Sequence, residues 1–483
     1  MPIPEVAVTD TLEMLAKAGN VNATDSVIAN FINSPTERQR HLHVKAHLRA
    51  TPPNTIPSSA LSVLHAYEQK ALFAPMQTYT RCIYTLFFSS SSVCRAQGWD
   101  LFSHMRYVAH PNPDAFLYTT MIRACAFPLS LSRGSEPEKA LDIWTEMTID
   151  KKIEPTVEAY NAIILACARS GEKVFVNEAY RLAKQMMDAY RDARGFSAFG
   201  PDRHTFIALL EGAKRIGDLG RARWILAEMV RDAGSGMQTV DGNTQVFVDE
   251  EIMMHIFQAY STYRPPFKRE ATLIVPEEQA EKMKALSDYP DTPIVSSNEA
   301  PETSPGTGGG STLLTLDSMP SFSHIPPQSH EEVLSEATFL FQRILHDTGV
   351  LPIPPEHQQH HQEGRHYSPK LVDKFARVKI TSRLVASYIS IFFRHAPLEH
   401  AERMLWRLFE QLKVPQTARV YVEALEACAY ATKGSEREAA VKFAEDLWPK
   451  WKELEDAGED AKGKISARII ERAYAARLRL YAV

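Results

Sequence analysis

Tyr160-Asn-Ala-Ile-Ile-Leu-Ala-Cys167 decides how the chain reads. An aromatic is followed three, four and seven places on by apolar or small residues, which is one face of a helix. The same pattern stands in Tyr79-Thr-Arg-Cys-Ile-Tyr-Thr-Leu86, Tyr118-Thr-Thr-Met-Ile-Arg-Ala-Cys125, Phe206-Ile-Ala-Leu-Leu-Glu-Gly-Ala213 and Tyr421-Val-Glu-Ala-Leu-Glu-Ala-Cys428. After each comes a second amphipathic stretch: Trp99 to Met105, Ala140 to Met147, Ala179 to Met187, Ala222 to Met229 and Ala439 to Trp448. Three units then close on Pro113-Asp114, Pro155-Thr156 and Pro201-Asp202, where Pro ends one helix and Asp or Thr can cap the next. The chain is a tandem repeat of helix–turn–helix units, and each unit must stack on its neighbours to bury its apolar face.

The first four aromatics are 39, 42 and 46 residues apart. The remainder phases onto the same unit. Met253 to Tyr260 reads as a degenerate first helix, and its partner as Glu336 to Leu345, with a Pro-, Ser-, Thr- and Gly-rich segment between them. A structureless stretch of that length is not core, so residues 264–330 read as a disordered insert inside one repeat. Val385, Tyr388, Ile389 and Phe392 form the stripe of a later unit, and 465–481 a terminal capping helix. The expected organisation leaves 1–55 open and places a helix in 56–75. Four repeats follow at 76–114, 115–156, 157–202 and 203–249. A degenerate repeat with its insert spans 250–353, a His/Gln-rich linker 354–381, two degenerate repeats 382–452 and the cap 453–483.

This unit of about 35 residues with short insertions resembles the pentatricopeptide repeat, most strongly over residues 76–249, in its Tyr-Asn or Tyr-Thr start, Ala-rich second helix and Pro-Asp close. A tetratricopeptide array has a similar period but would not favour Tyr-Asn-Ala-Ile-Ile with a terminal Pro-Asp. The resemblance implies an all-α solenoid of stacked helix pairs that binds single-stranded RNA without catalysis. It further implies work in mitochondrial RNA metabolism: transcript or small-subunit rRNA processing, stability or translation. A protein-interaction scaffold, or a structural subunit of the mitochondrial ribosome, is the competing reading. The localisation rests on the resemblance alone, because residues 1–20 hold Glu5, Asp10 and Glu13 against a single Lys17, unlike an Arg-rich, acid-poor presequence.

In the family, a base edge is read by the residue after the first-helix Tyr together with the last residue of the motif. Carried over by position, the RNA-reading pairs are Thr80 with Asp114, Thr119 with Thr156, and Asn161 with Asp202. The resemblance makes Asn161/Asp202 a uracil reader and Thr80/Asp114 a guanine reader, while Thr119/Thr156 departs from the common combinations. Later units carry Ile207, Met254, Ala386 or Val422 at the first position, and none can hydrogen-bond a base edge. Each Asp has a second reading as a helix cap. Arg169, Arg215 and Arg394 each fall eight residues past the first reader of their unit. There they could neutralise phosphates or complement a helix C-terminus.

The 483 residues are 44% hydrophobic and 23% charged with a formal net charge of −5, which alone argues against a strongly basic nucleic-acid binder. The distribution changes the argument. From Glu270 to Glu336 there are 12 acidic residues and two Lys, a net of −10, so the rest of the chain carries +5. The array is mildly basic and the insert is an acidic linker or arm. No window approaches the 18 or so consecutive apolar residues of a membrane span.

No cofactor, metal or enzymatic activity is expected. The five Cys exclude a disulfide scaffold and form no Cys-x-x-Cys; Cys125, Cys167 and Cys428 fall on the inner stripe as small hydrophobes, as does Cys82. His357 and His361 could share a helix face, but their Gln-rich, Pro-flanked setting reads as low complexity. The Gly306-to-Gly310 run lacks the Lys-Ser/Thr of a phosphate loop, and no nuclease or deaminase domain is recognisable.

Overall fold

The computed structural model describes residues 5–89, 91–128, 134–189, 199–232, 247–266, 325–350, 374–431, 434–460 and 463–482. The chain divides into two compact units, Met1–Gly212 and Ala213–Val483. Both are built of helices. The one strand pairing among the described residues is a two-residue antiparallel ladder, Glu459–Asp460 with Gly463–Lys464. Among the described residues no helix is long and apolar enough to cross a membrane. The all-α reading of paired, stacked helices holds.

The first unit opens with three helices that the repeat pattern did not reveal: α1 (Glu5–Ala18), α2 (Val21–Phe31) and α3 (Glu37–Ala50). Leu12, Ala16, Leu42 and Ala46 form their core, with Val27, Ile28 and Ile32 packed on it. Thr36 and Gln39 cap α3 reciprocally, so its start is fixed. Next come α4 (Ser58–Gln69), α5 (Met76–Phe88), α6 (Ser92–His104), α7 (Ala115–Cys125), α8 (Pro137–Thr145), α9 (Val157–Ala168), α10 (Lys173–Asp188) and α11 (Arg203–Ile216). The boundary between the units falls near the end of α11. The first helices pack on each other, α7 against α9, and each packs on its own partner, α7 on α8 and α9 on α10.

Side chains explain these boundaries. Asp114 caps α7 by accepting from Leu117 N (2.8 Å), and Thr156 caps α9 by accepting from Ala159 N (3.3 Å). Helices α6 and α8 each run into a π-helical turn, Met105–Ala109 and Glu146–Asp150. Three first-helix tyrosines, two that open repeats and one in the last turn of its helix, are core residues with a polar tip. Tyr79, Tyr118 and Tyr260 are fully buried, and their hydroxyls donate to Glu68, Glu146 and Glu336. Burial first, then the neighbouring carboxylate, raises all three phenols above their ordinary value or, for Tyr260, well above it. Cys82, Cys125, Cys167 and Cys428 are fully buried.

The second unit contains α12 (Leu219–Asp232), α13 (Glu250–Thr262), α14 (His330–Asp347), α15 (Ser382–His395), α16 (Leu398–Leu412), α17 (Ala418–Tyr430), α18 (Gly434–Ala457) and α19 (Ala467–Ala482). Its core stacks Phe341 on Tyr388, ring centroids 4.0 Å apart, with Phe257 against both. Glu336 is buried beside Arg223, their charged groups 2.8 Å apart. Most of the expected insert and of the His/Gln-rich linker, with His357, His361 and the Gly306-to-Gly310 run, lies outside the described residues.

Candidate nucleic-acid interface

Helix α9 starts at the Thr156 cap, so Tyr160 turns into the core and Asn161, about 100° further round, is left half-buried at the rim. Helix α11 starts at Asp202. Its carboxylate accepts from Thr205 N (2.8 Å), and its own N–H donates to Thr205 Oγ1 (3.1 Å). The two starts meet: Asn161 Nδ2 lies 3.0 Å from each oxygen of Asp202. Thr205 Oγ1 is 2.6 Å from Asn161 Oδ1 and 2.9 Å from Asp202 Oδ1. Asp202 can only accept, so the bond orients the amide with nitrogen toward the carboxylate. One N–H and one lone pair of Asn161 remain to offer a partner.

The other two pairs are not joined. Thr80 is buried and its hydroxyl donates to the Met76 carbonyl (3.1 Å). Asp114 spends its carboxylate on the cap of α7. Thr119 donates to the Ala115 carbonyl (2.7 Å), and Thr156 caps α9. Of the later first-reader positions, Met254, Ala386 and Val422 are buried and Ile207 is half-buried.

Sequence reasoning missed Thr205. Its signal was present in Asp202-Arg-His-Thr205, where a hydroxyl three places after a capping Asp can close the cap from the other side.

Neither a protein-family model nor a curated protein sequence matches the chain. Among solved structures it is similar to the pentatricopeptide repeat protein PPR10 from maize, at 13% identity over 99% of this chain and 67% of that one, with a TM-score of 0.33. It is also similar to PPR10 in complex with an 18-nt psaJ RNA element, at 13% identity over 99% of this chain and 56% of that one, with a TM-score of 0.31. The chain therefore spans little more than half the length of that RNA-bound relative.

The three arginines all stand at the C-terminal ends of their helices. Arg169 is the C-cap residue of α9, half-buried, with its guanidinium 4.5 Å from the centroid of the Phe127 ring. Arg215 lies in the last turn of α11 and is exposed. Arg394 lies in the last turn of α15, exposed, 5.9 Å from the Tyr430 ring centroid. A cation at a helix C-terminus complements the dipole, and a guanidinium there can also reach an anion.

Proposed function

We propose that the chain is a non-catalytic protein of mitochondrial RNA metabolism that binds single-stranded RNA with sequence selectivity. Transcript or small-subunit rRNA processing, stability or translation would be its output. The observation that carries this reading is the Asn161–Asp202–Thr205 cluster. It ties the starts of two successive first helices at the positions where the repeat resemblance places a base reader, and it holds an amide in one orientation at a half-exposed rim. Reading one base per helical repeat with two or three side chains is how such arrays select sequence.

The test compares oligonucleotides that differ at one base, at two salt concentrations. Asn161→Ala keeps the Asp202 cap intact. It should weaken binding to the preferred base by about 1–3 kcal/mol, by analogy with good bidentate base contacts, with little change in salt dependence. Arg169→Ala and Arg215→Ala, each tested separately, should weaken all sequences alike and make the log K versus log salt slope shallower by about 0.7 for each phosphate left without its cation. Folded variants that bind as the parent does would remove RNA recognition through these residues.

A second reading, a protein-interaction scaffold such as a subunit of the mitochondrial ribosome, is favoured for the second unit by one observation. Its residues at the reader positions, Met254, Ala386 and Val422, are apolar and buried.

A further inference from the structure

The three N-terminal helices bring together side chains that the sequence keeps far apart. His43 and His47 sit one turn apart on α3, and Asp25 faces them from α2. Asp25 Oδ1 lies 2.7 Å from His43 Nε2 and 2.9 Å from His47 Nε2. The three ligand atoms fall within 4.8 Å of one another.

We propose that Asp25, His43 and His47 form a zinc(II) site that clamps the N-terminal end of the first unit. Two imidazoles at i and i+4 on one helix face, completed by a carboxylate from a neighbouring helix, are a zinc-binding donor set. Zinc holds nitrogen and oxygen at about 2.0–2.2 Å, so ligand atoms around it stand roughly 3.3 Å apart in a tetrahedron. The present spacings need widening by about half an ångström to reach that figure. Asp25 can supply the movement, because its side chain is 49% exposed while those of His43 and His47 are 12% and 6% exposed. The solvent side of Asp25 leaves the fourth place to water.

The far side of each ring is already held. His43 Nδ1 is 2.7 Å from the Tyr67 hydroxyl, and His47 Nδ1 bonds the Ser59 hydroxyl, both residues of α4. Partners on the second ring nitrogen fix the orientation of a metal-bound histidine. Hydroxyls suit both states. With zinc on Nε2, each Nδ1–H donates to its hydroxyl oxygen. Without zinc, each Nε2–H donates to Asp25 and each hydroxyl donates to Nδ1. The exchange releases the two Nε2 lone pairs while both rings stay bonded to α4.

A second cluster, His65, Glu68 and His104, converges on Glu68 Oε2 at 2.8 and 2.9 Å. Its other carboxylate oxygen already accepts from Tyr79, and its histidines are 44% and 36% exposed. It serves as the internal control.

The experiment uses the tag-free full chain, stripped with chelator, and titrates zinc chloride calorimetrically while following the melting temperature. Cobalt(II) serves as a visible-absorption probe of tetrahedral nitrogen and oxygen ligands. The expected result is a tight equivalent of zinc that raises the melting temperature by mass action. Asp25→Asn should weaken it at least tenfold and His47→Asn should abolish it, while His65→Asn with His104→Asn leaves it intact. If His47→Asn does not fold, Asp25→Asn at its half-exposed position decides alone. Failure of the parent chain to take up zinc would overturn the proposal. So would uptake that survives Asp25→Asn, as binding at His357 and His361 would, or uptake abolished together with His65 and His104.

Discussion

Nε2–H of His395 donates to the Tyr260 carbonyl at 3.0 Å, which leaves Nδ1 as a lone pair facing Nδ1 of His330 at 2.8 Å. The neutral ring is therefore an acceptor toward His330, and a second proton would set N–H against N–H. Burial above all, with His330 and Arg394 adding to it, pushes the His395 pKa down to about 4, against a hydrogen bond to Tyr260 that favours the charged ring. Because the folded value lies below the unfolded 6.5, the unfolded chain binds the extra proton first. Stability from this residue is complete above pH 6.5 and is lost as pH falls to about 4. The span corresponds to about 3 kcal/mol. His395→Asn, which keeps a donor and an acceptor, should flatten the fall in stability over that window when unfolding is followed by denaturant at successive pH values. An unchanged slope would show that other groups set it. At this scale the sequence was legible only in part. Asn161 and Asp202 could be paired because repeat spacing brings them into register. Thr80 could not be distinguished from Asn161 by position, because its burial follows from how α5 packs.

Among the elements, the end of α11 is held by close backbone contacts. Gly217 follows it at φ +69°, a left-handed conformation, and a Cβ there would stand 3.2 Å from the Thr262 carbonyl oxygen. Thr262 in turn donates to the Lys214 carbonyl (2.7 Å), tying the C-termini of α11 and α13 together. Gly217→Ala should cost about 1–2 kcal/mol, from the left-handed backbone together with the close approach. Chemical denaturation reads this directly, and a neutral outcome would mean that the α11–α13 junction yields freely. Repeated apolar stripes made α5, α7, α9, α11 and α17 readable. Helix α3 hid because it buries Gln39, Arg40 and His47, which blurs the apolar periodicity. Arg40 Nη1 donates to the Pro35 carbonyl (2.6 Å) and Gln39 Nε2 to the Thr9 hydroxyl (3.2 Å), partners that only the fold supplies. The π-helical turns ending α6 and α8 were equally unreadable, since hydrophobic spacing does not record whether a carbonyl bonds four or five residues on.

For the whole molecule, the long segment between α13 and α14 bears on folding. Its described flanks are held together: the Tyr263 hydroxyl donates to the Pro327 carbonyl (2.9 Å), and Tyr260 reaches Glu336. Replacing residues 267–324 by a short Gly/Ser linker therefore needs to close only a small gap, and loop-closure cost changes slowly with length. The deletion should leave the melting transition where it is; a drop of many degrees would mean that those residues contribute to the core. The repeat period made this architecture legible, because units that bury one face against the next must recur at near-constant spacing. The N-terminal helices escaped that logic, since they carry none of the repeat-opening stripe.

The buried cysteines have a consequence of another kind. Cys82, Cys94, Cys125 and Cys167 belong to the first unit and Cys428 to the second, and all are buried. Burial pushes the thiols of Cys82, Cys125, Cys167 and Cys428 up to about 12, so at neutral pH they are neither nucleophilic nor within reach of a reagent. Alkylation has to wait for the surrounding helices to open, and its rate under native conditions measures that opening. With four thiols in one unit and one in the other, the chain carries built-in reporters from which breathing of the two halves can be timed separately, without adding a label.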